Sequence, residues 1–172
     1  VTLLVVISIY AYFNIQSETK TLLMEVERHA TQFSEHLKSD MGYDMLHNDR
    51  VRIQDSISRI GSQGAINGIR VFNKDGEVID SSRPKEIGKM VTTEATSRYR
   101  CHPTGEPHKK PQKQEHMRIV RPEPEGQRLL GIINPVYNEP SCWNSTCHAH
   151  PETQTVLGVL DVTMPLAKVD EN

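Results

Sequence analysis

Ten consecutive residues, Ser141-Cys142-Trp143-Asn144-Ser145-Thr146-Cys147-His148-Ala149-His150, hold two of the three cysteines and two of the eight histidines. Thiolate and imidazole are strong soft donors, so this window can fasten a haem or coordinate a thiophilic metal. In the haem reading, Cys142 and Cys147 meet the vinyl groups of a c-type haem and the adjacent His148 reaches the iron. A sixth ligand would come from His150, His102, Met41 or Met45. In the metal reading, Cys101, Cys142 and Cys147 join His148 or His150 in a Cys3His set, with His102 in reserve. That set suits tetrahedral zinc or another thiophilic ion. A Cys142–Cys147 disulfide closing a tight loop is the third reading, and it leaves Cys101 unexplained.

Nucleophilic catalysis fits the same residues less well, because a second cysteine beside an activated thiol favours coordination or oxidation. No Walker loop, dinucleotide fingerprint or serine elbow occurs. Asp75, Asp80 and Asp161 read as turn and strand-end residues. No catalysis is expected of this segment.

The surrounding pattern sets where the cluster sits. Leu23, Val26, Ala30, Phe33 and Leu37 recur at helical spacing, with charged residues on the other faces. His29 and His36 lie on the same helix, seven residues apart, and read as ordinary interfacial histidines of a helix pair rather than a metal site. Gly42 and the polar run after it suggest a helix end or bend. A second helix carries Val51, Ile53, Ile57 and Ile60 and stops at Gly61 and Gly64. Ile69–Phe72 and Glu77–Asp80 flank Asn73-Lys74-Asp75-Gly76, a hairpin signal. Residues 92–127, rich in proline and charge, read as a long loop. Two strands follow, 128–137 and 156–164, and the Cys142–His150 window lies in their connection. If those strands pair, the cluster sits at the end of a rigid sheet.

The chain has 172 residues and a net charge of −2, with basic residues scattered, which argues against nucleic acid as a partner. Val1–Ile15 is uncharged and apolar, with Tyr10, Tyr12 and Phe13 near its end. It is too short to cross a bilayer alone but reads as the C-terminal part of a transmembrane helix. The expected organisation is membrane helix (1–15), amphipathic stalk (16–48) and sensor domain (49–172). The stalk stripe suggests a parallel homodimer.

The helix, hairpin, insertion and closing strands resemble an extracytoplasmic PAS/Cache-like sensor domain. The segment Ile69–Ser82 is similar to the first hairpin of such domains, and Glu86-Ile87-Gly88-Lys89 to the turn that follows it. A narrower likeness lies in Gly131–Cys142, Cys147–Pro151 and Val156–Val162, which resemble sensor histidine kinases of anaerobic, cytochrome-rich bacteria. In those relatives the earlier Cys-His belongs to a Cys-x-x-Cys-His motif, whereas Arg98 stands here where its first cysteine would be. The resemblance implies an α+β fold, a PAS/Cache-like antiparallel sheet preceded by a long membrane-proximal helix. It also implies a place at the bacterial inner membrane, mainly periplasmic, with a kinase or chemoreceptor module further along the same chain. The function expected is sensing of redox state, gas or metal through a cofactor at the Cys142–His150 loop. The alternatives are a membrane-anchored c-type haem electron-transfer protein and a Cache domain binding a small organic ligand with structural cysteines.

Overall fold

Apolar residues at three- and four-residue spacing build two helices, and β-branched runs build the strands they cover. The computed structural model describes residues 2–90, 116–121, 126–144 and 150–170. Helix α1 runs unbroken from Thr2 to Leu46. Gly42 therefore does not end it, and a side chain there would meet nothing within 4 Å. The chain reverses at Asn48, whose φ of 52° is a left-handed conformation that asparagine tolerates. Asp49 then caps α2 (Arg50–Gly61), its carboxylate accepting from the Arg52 N–H at 3.1 Å.

The expected hairpin forms between β1 (Gly68–Asn73) and β2 (Val78–Ser81). Gly76 supplies the positive φ of 87°, and the Asn73 side chain accepts from the Asp75 and Glu77 N–H groups, each at 3.0 Å. Three more strands follow: β3 (Met117–Val120), β4 (Leu129–Tyr137) and β5 (Val156–Pro165). Among the described residues they make one five-stranded sheet of order β2-β1-β5-β4-β3, antiparallel throughout. The chain is α+β, an antiparallel sheet preceded by a long helix. The two strands flanking the Cys142–His150 window do pair, Tyr137 with Val156 at the end nearest the window. Pro135 lies beyond the stretch of β4 that β3 covers, so its missing N–H breaks no ladder on that side.

Two expectations change. Strand β3 lies inside 92–127, which reads as loop, because its polarity is inverted: Arg118 is buried and Ile119 is 47% exposed. An edge strand of four residues with the charge inside carries no alternation signal. Asp161 is no strand-end residue either. It lies in the middle of β5 with 0% exposure, between the core residues Leu160 and Val162.

Helix α1 covers one sheet face. Leu37 and Met41 pack with Ile53, Ile57, Ile69, Val71, Leu160 and Val162, while Ala30 packs with Leu130, Ile132, Leu166 and Val169. Leu23, Val26 and Phe33 lie against these clusters. Of the stripe that suggested a parallel homodimer, Ala30 and Leu37 are buried against the chain's own sheet and helices, and Leu23, Val26 and Phe33 are partly buried. His29 and His36 are exposed on this chain. Upstream, α1 loses its partner, and Leu3, Val6, Tyr10 and Phe13 are each more than half exposed. Among the described residues no helix is long and apolar enough to cross a membrane.

Candidate functional site

Residues from both helices, four strands and the connection between β4 and β5 line a half-open cavity of about 620 Å³. Its walls come from the C-terminal half of α1 (Lys38, Met45, Leu46), the start of α2 (Arg50, Ile53) and the hairpin (Val71, Phe72, Ile79, Asp80). Val136 and Tyr137 of β4, Leu157 and Gly158 of β5, and Cys142 and His150 close it. The volume falls in the range of small-molecule and cofactor sites, and the surface is mainly apolar with the charged Glu35, Lys38, Arg50, Asp80 and Glu139 also in the lining.

The connection carrying the cysteine–histidine window is pinned at both ends. Pro140–Trp143 forms a single helical turn directly after β4, with the Cys142 N–H donating to the Glu139 carbonyl at 2.7 Å. The His150 N–H returns to the Cys142 carbonyl at 3.2 Å. Asn138 staples the base, its Nδ2 donating to the Pro151 carbonyl at 2.9 Å and the Gln154 carbonyl at 2.8 Å. These bonds hold Cys142 and His150 on one wall, as a donor pair at the end of a sheet must be held.

The predicted ligands divide accordingly. Cys142 is half-buried in the cavity wall, and Cys147, its partner in the disulfide reading, lies outside the described residues. Of the two methionines considered for a sixth iron position, Met45 lines the cavity, whereas Met41 is 1% exposed inside the core. Met41 is therefore a packing residue, because its thioether is enclosed by Ile53, Ile57 and Ile69. Cys101, His102, Cys147 and His148 lie outside the described residues, and among the described ones no three His, Cys, Asp or Glu side chains gather as a metal set.

The polar groups of the cavity carry little signal in the sequence. Asp80 is 5% exposed and accepts from Arg50 Nη1 at 3.1 Å through Oδ2. Its burial lifts the carboxyl above its ordinary value, against the opposing pull of Arg50. Lys38 Nζ donates to Asn134 Oδ1 at 2.7 Å and lies 3.2 Å from Glu35, while Asn134 Nδ2 donates to Ser34 Oγ at 3.3 Å. Asn134 and Ser34 are buried, so this relay locks α1 to β4 in one register. An asparagine in an otherwise apolar strand run was the available signal.

No protein-family model matches the chain, and no curated protein matches it. Among solved structures, the periplasmic domain of RsbU from Chlamydia trachomatis is similar at 15% identity, with a TM-score of 0.43. The match covers 92% of this chain, which spans 58% of the length of that one.

Proposed function

We propose that this chain is the extracytoplasmic sensory domain of a membrane-bound signalling receptor, reading a cofactor or ligand in the cavity between α1, α2 and the sheet. One observation carries the reading: Cys142 and His150 share that cavity with Lys38 and Met45 of α1 and with Leu157 and Gly158 of β5. A change at the cysteine–histidine wall acts on the helix and the closing strand together. For that change to signal, the two arrangements must differ in affinity for whatever occupies the cavity. The apolar start of α1 supports a membrane setting, since Leu3 to Ile15 is exposed all round rather than along one stripe.

A c-type haem is the occupant we propose first. An apolar wall of Leu46, Ile53, Phe72 and Leu157 suits a porphyrin face, with Cys142 on the rim for a thioether. Cys147 would take the second thioether and His148 the proximal position. His150 and Met45 are the cavity residues suited to the sixth. Haem, when bound, supplies a centre for a diatomic gas or an electron. Zinc or another thiophilic ion on Cys101, His102, Cys142, Cys147, His148 and His150 is the competing use of the same donors. A small organic ligand is the second reading, favoured by the hairpin residues Val71, Phe72, Ile79 and Asp80 in the wall.

The test is an absorption spectrum and intact mass of the chain produced with haem-maturation machinery in an oxidising compartment. Covalently added mass with a Soret band, lost in Cys142→Ala with Cys147→Ala, supports the haem. Apoprotein mass with stoichiometric zinc moves the reading to the metal. Apoprotein mass without metal leaves the organic ligand.

A further inference from the structure

We propose that Asp80 is a proton-operated gate on the cavity: protonated, it lets the first turn of α2 close, and ionised, it lets that turn lift. One wall of the cavity is this single turn, where Arg50 and Ile53 stand against Ile79 and Asp80 of the hairpin. Little burial holds the turn down. Within residues 50–53 only Ile53 is buried, while Val51 is 80% exposed and the Arg50 side chain 54%.

The turn lies between a pivot and a clamp. Upstream is Asn48 with its left-handed φ of 52°, itself in the cavity lining. Downstream, Gln54 Nε2 donates to the Ser81 carbonyl at 2.9 Å, and Gln54 Oε1 accepts from the Ser81 N–H at 3.3 Å. One helical turn before that clamp, Arg50 Nη1 donates to Asp80 Oδ2 at 3.1 Å and makes a second tie to the same strand. The state of Asp80 therefore decides how firmly the free part of the turn is held.

The other charges near Asp80 are engaged elsewhere or set apart. Lys38 of α1 is held by Glu35 and Asn134, Arg70 of β1 by Asp161, Arg52 of α2 by Asp49, and Arg83 by Glu86. Glu139 and His150 line the same cavity from the β4–β5 connection. Arg50 is the charge that acts on Asp80, and one half-exposed guanidinium does not offset the burial of the carboxylate. Lifting the turn returns Asp80 to water and to its ordinary proton affinity. The closed state thus binds the proton more tightly, so protonation favours closing and loss of the proton favours opening. The turn yields first, because a local opening costs less than unfolding the sheet. An occupant enters and leaves at higher pH and is retained in acid. This inference rests on the cavity being the occupied site, but its test needs no occupant, so the two fail separately.

The test is amide exchange, corrected for its intrinsic pH dependence, and methyl NMR of the full chain in detergent micelles from about pH 4 to about pH 8. Ile53, whose N–H donates to the Asp49 carbonyl at 3.1 Å, reports the turn. Its protection should fall as pH rises, by about tenfold for each pH unit separating the Asp80 titration in the closed and open states. Over the same range the neutral nitroxide TEMPOL should increasingly broaden the Ile53 methyl resonance and leave that of the core residue Ile57 unchanged. Asp80→Asn should abolish both responses. Arg50→Gln leaves the closed carboxylate without its counter-charge and should extend the fall to higher pH, which keeps the test sharp if Asp80→Asn fails to fold. An Ile53 amide indifferent to pH, or one exchanging only as fast as the β5 core residue Val162, overturns the gate. Protection that falls without broadening by TEMPOL overturns the route into the cavity.

Discussion

Arg118 reaches Asp161 by crossing the bare backbone of Gly131: the pair stands on β3 and β5, and Gly131 lies on β4 between them, opposite Arg118 in register. A single ion pair thus spans three strands, and the glycine is the condition for it. Gly131→Ala should destabilise the chain by about 1–3 kcal/mol by overpacking. In an Arg118→Ala background the same substitution should cost less, with a coupling of about 0.5–3 kcal/mol from a double-mutant cycle in urea. Equal costs in both backgrounds would mean that the glycine serves something other than the arginine.

Asp161→Asn leaves two buried or half-buried guanidinium groups without their anion. A loss of about 3–5 kcal/mol is expected. At this chain length each kcal/mol lowers Tm by about 2–4 °C. A melting temperature within a degree or so of wild type would contradict the central role given to this carboxylate.

Asp80 sets a pH dependence. Desolvation raises its folded-state value above 3.8, outweighing Arg50. The folded chain therefore holds a proton over a window where the unfolded chain has lost it. Stability from this group is full below the unfolded value and falls as pH rises through the folded one. Asp80→Asn removes the titration. The wild-type stability minus that of the variant should decrease from about pH 3 upward in urea titrations, and a flat or rising difference would reverse the assignment.

Met41 and Met45 should separate cleanly. Met41 is enclosed in the core, so Met41→Ala should cost about 2–5 kcal/mol and leave any haem spectrum unchanged. Met45 lines the cavity, so Met45→Ala, or His150→Ala, should alter the spectrum of the haem-loaded chain with a smaller stability loss. A spectral change on Met41→Ala alone would place the cofactor elsewhere.

Lys38, Asn134 and Ser34 should behave as one unit. Asn134→Ala removes a partner of the part-buried Lys38 and of the buried Ser34 hydroxyl, and should cost about 1–3 kcal/mol. Adding Ser34→Ala should then cost little more, as measured by thermal melting.

Elements with a local signal were legible in the residues alone. Helical spacing located α1 and α2, Asp75-Gly76 located the hairpin, and the two apolar runs located β4 and β5 around the cysteine–histidine window. These follow from side-chain periodicity and turn stereochemistry, which need no distant partner. What covers each face was decided only in three dimensions. The Leu23–Leu37 stripe could be met by a second copy or by the chain's own sheet, and a stripe looks the same in either case. Strand β3 was invisible because its buried residue is an arginine, and that choice makes sense only beside Gly131 and Asp161. Asp80, Asn134 and Asp161 read as ordinary polar residues until burial gave each an obligatory partner. For the opening cluster, the tertiary structure decided that Cys142 and His150 share a cavity with Met45, while Met41 belongs to the core.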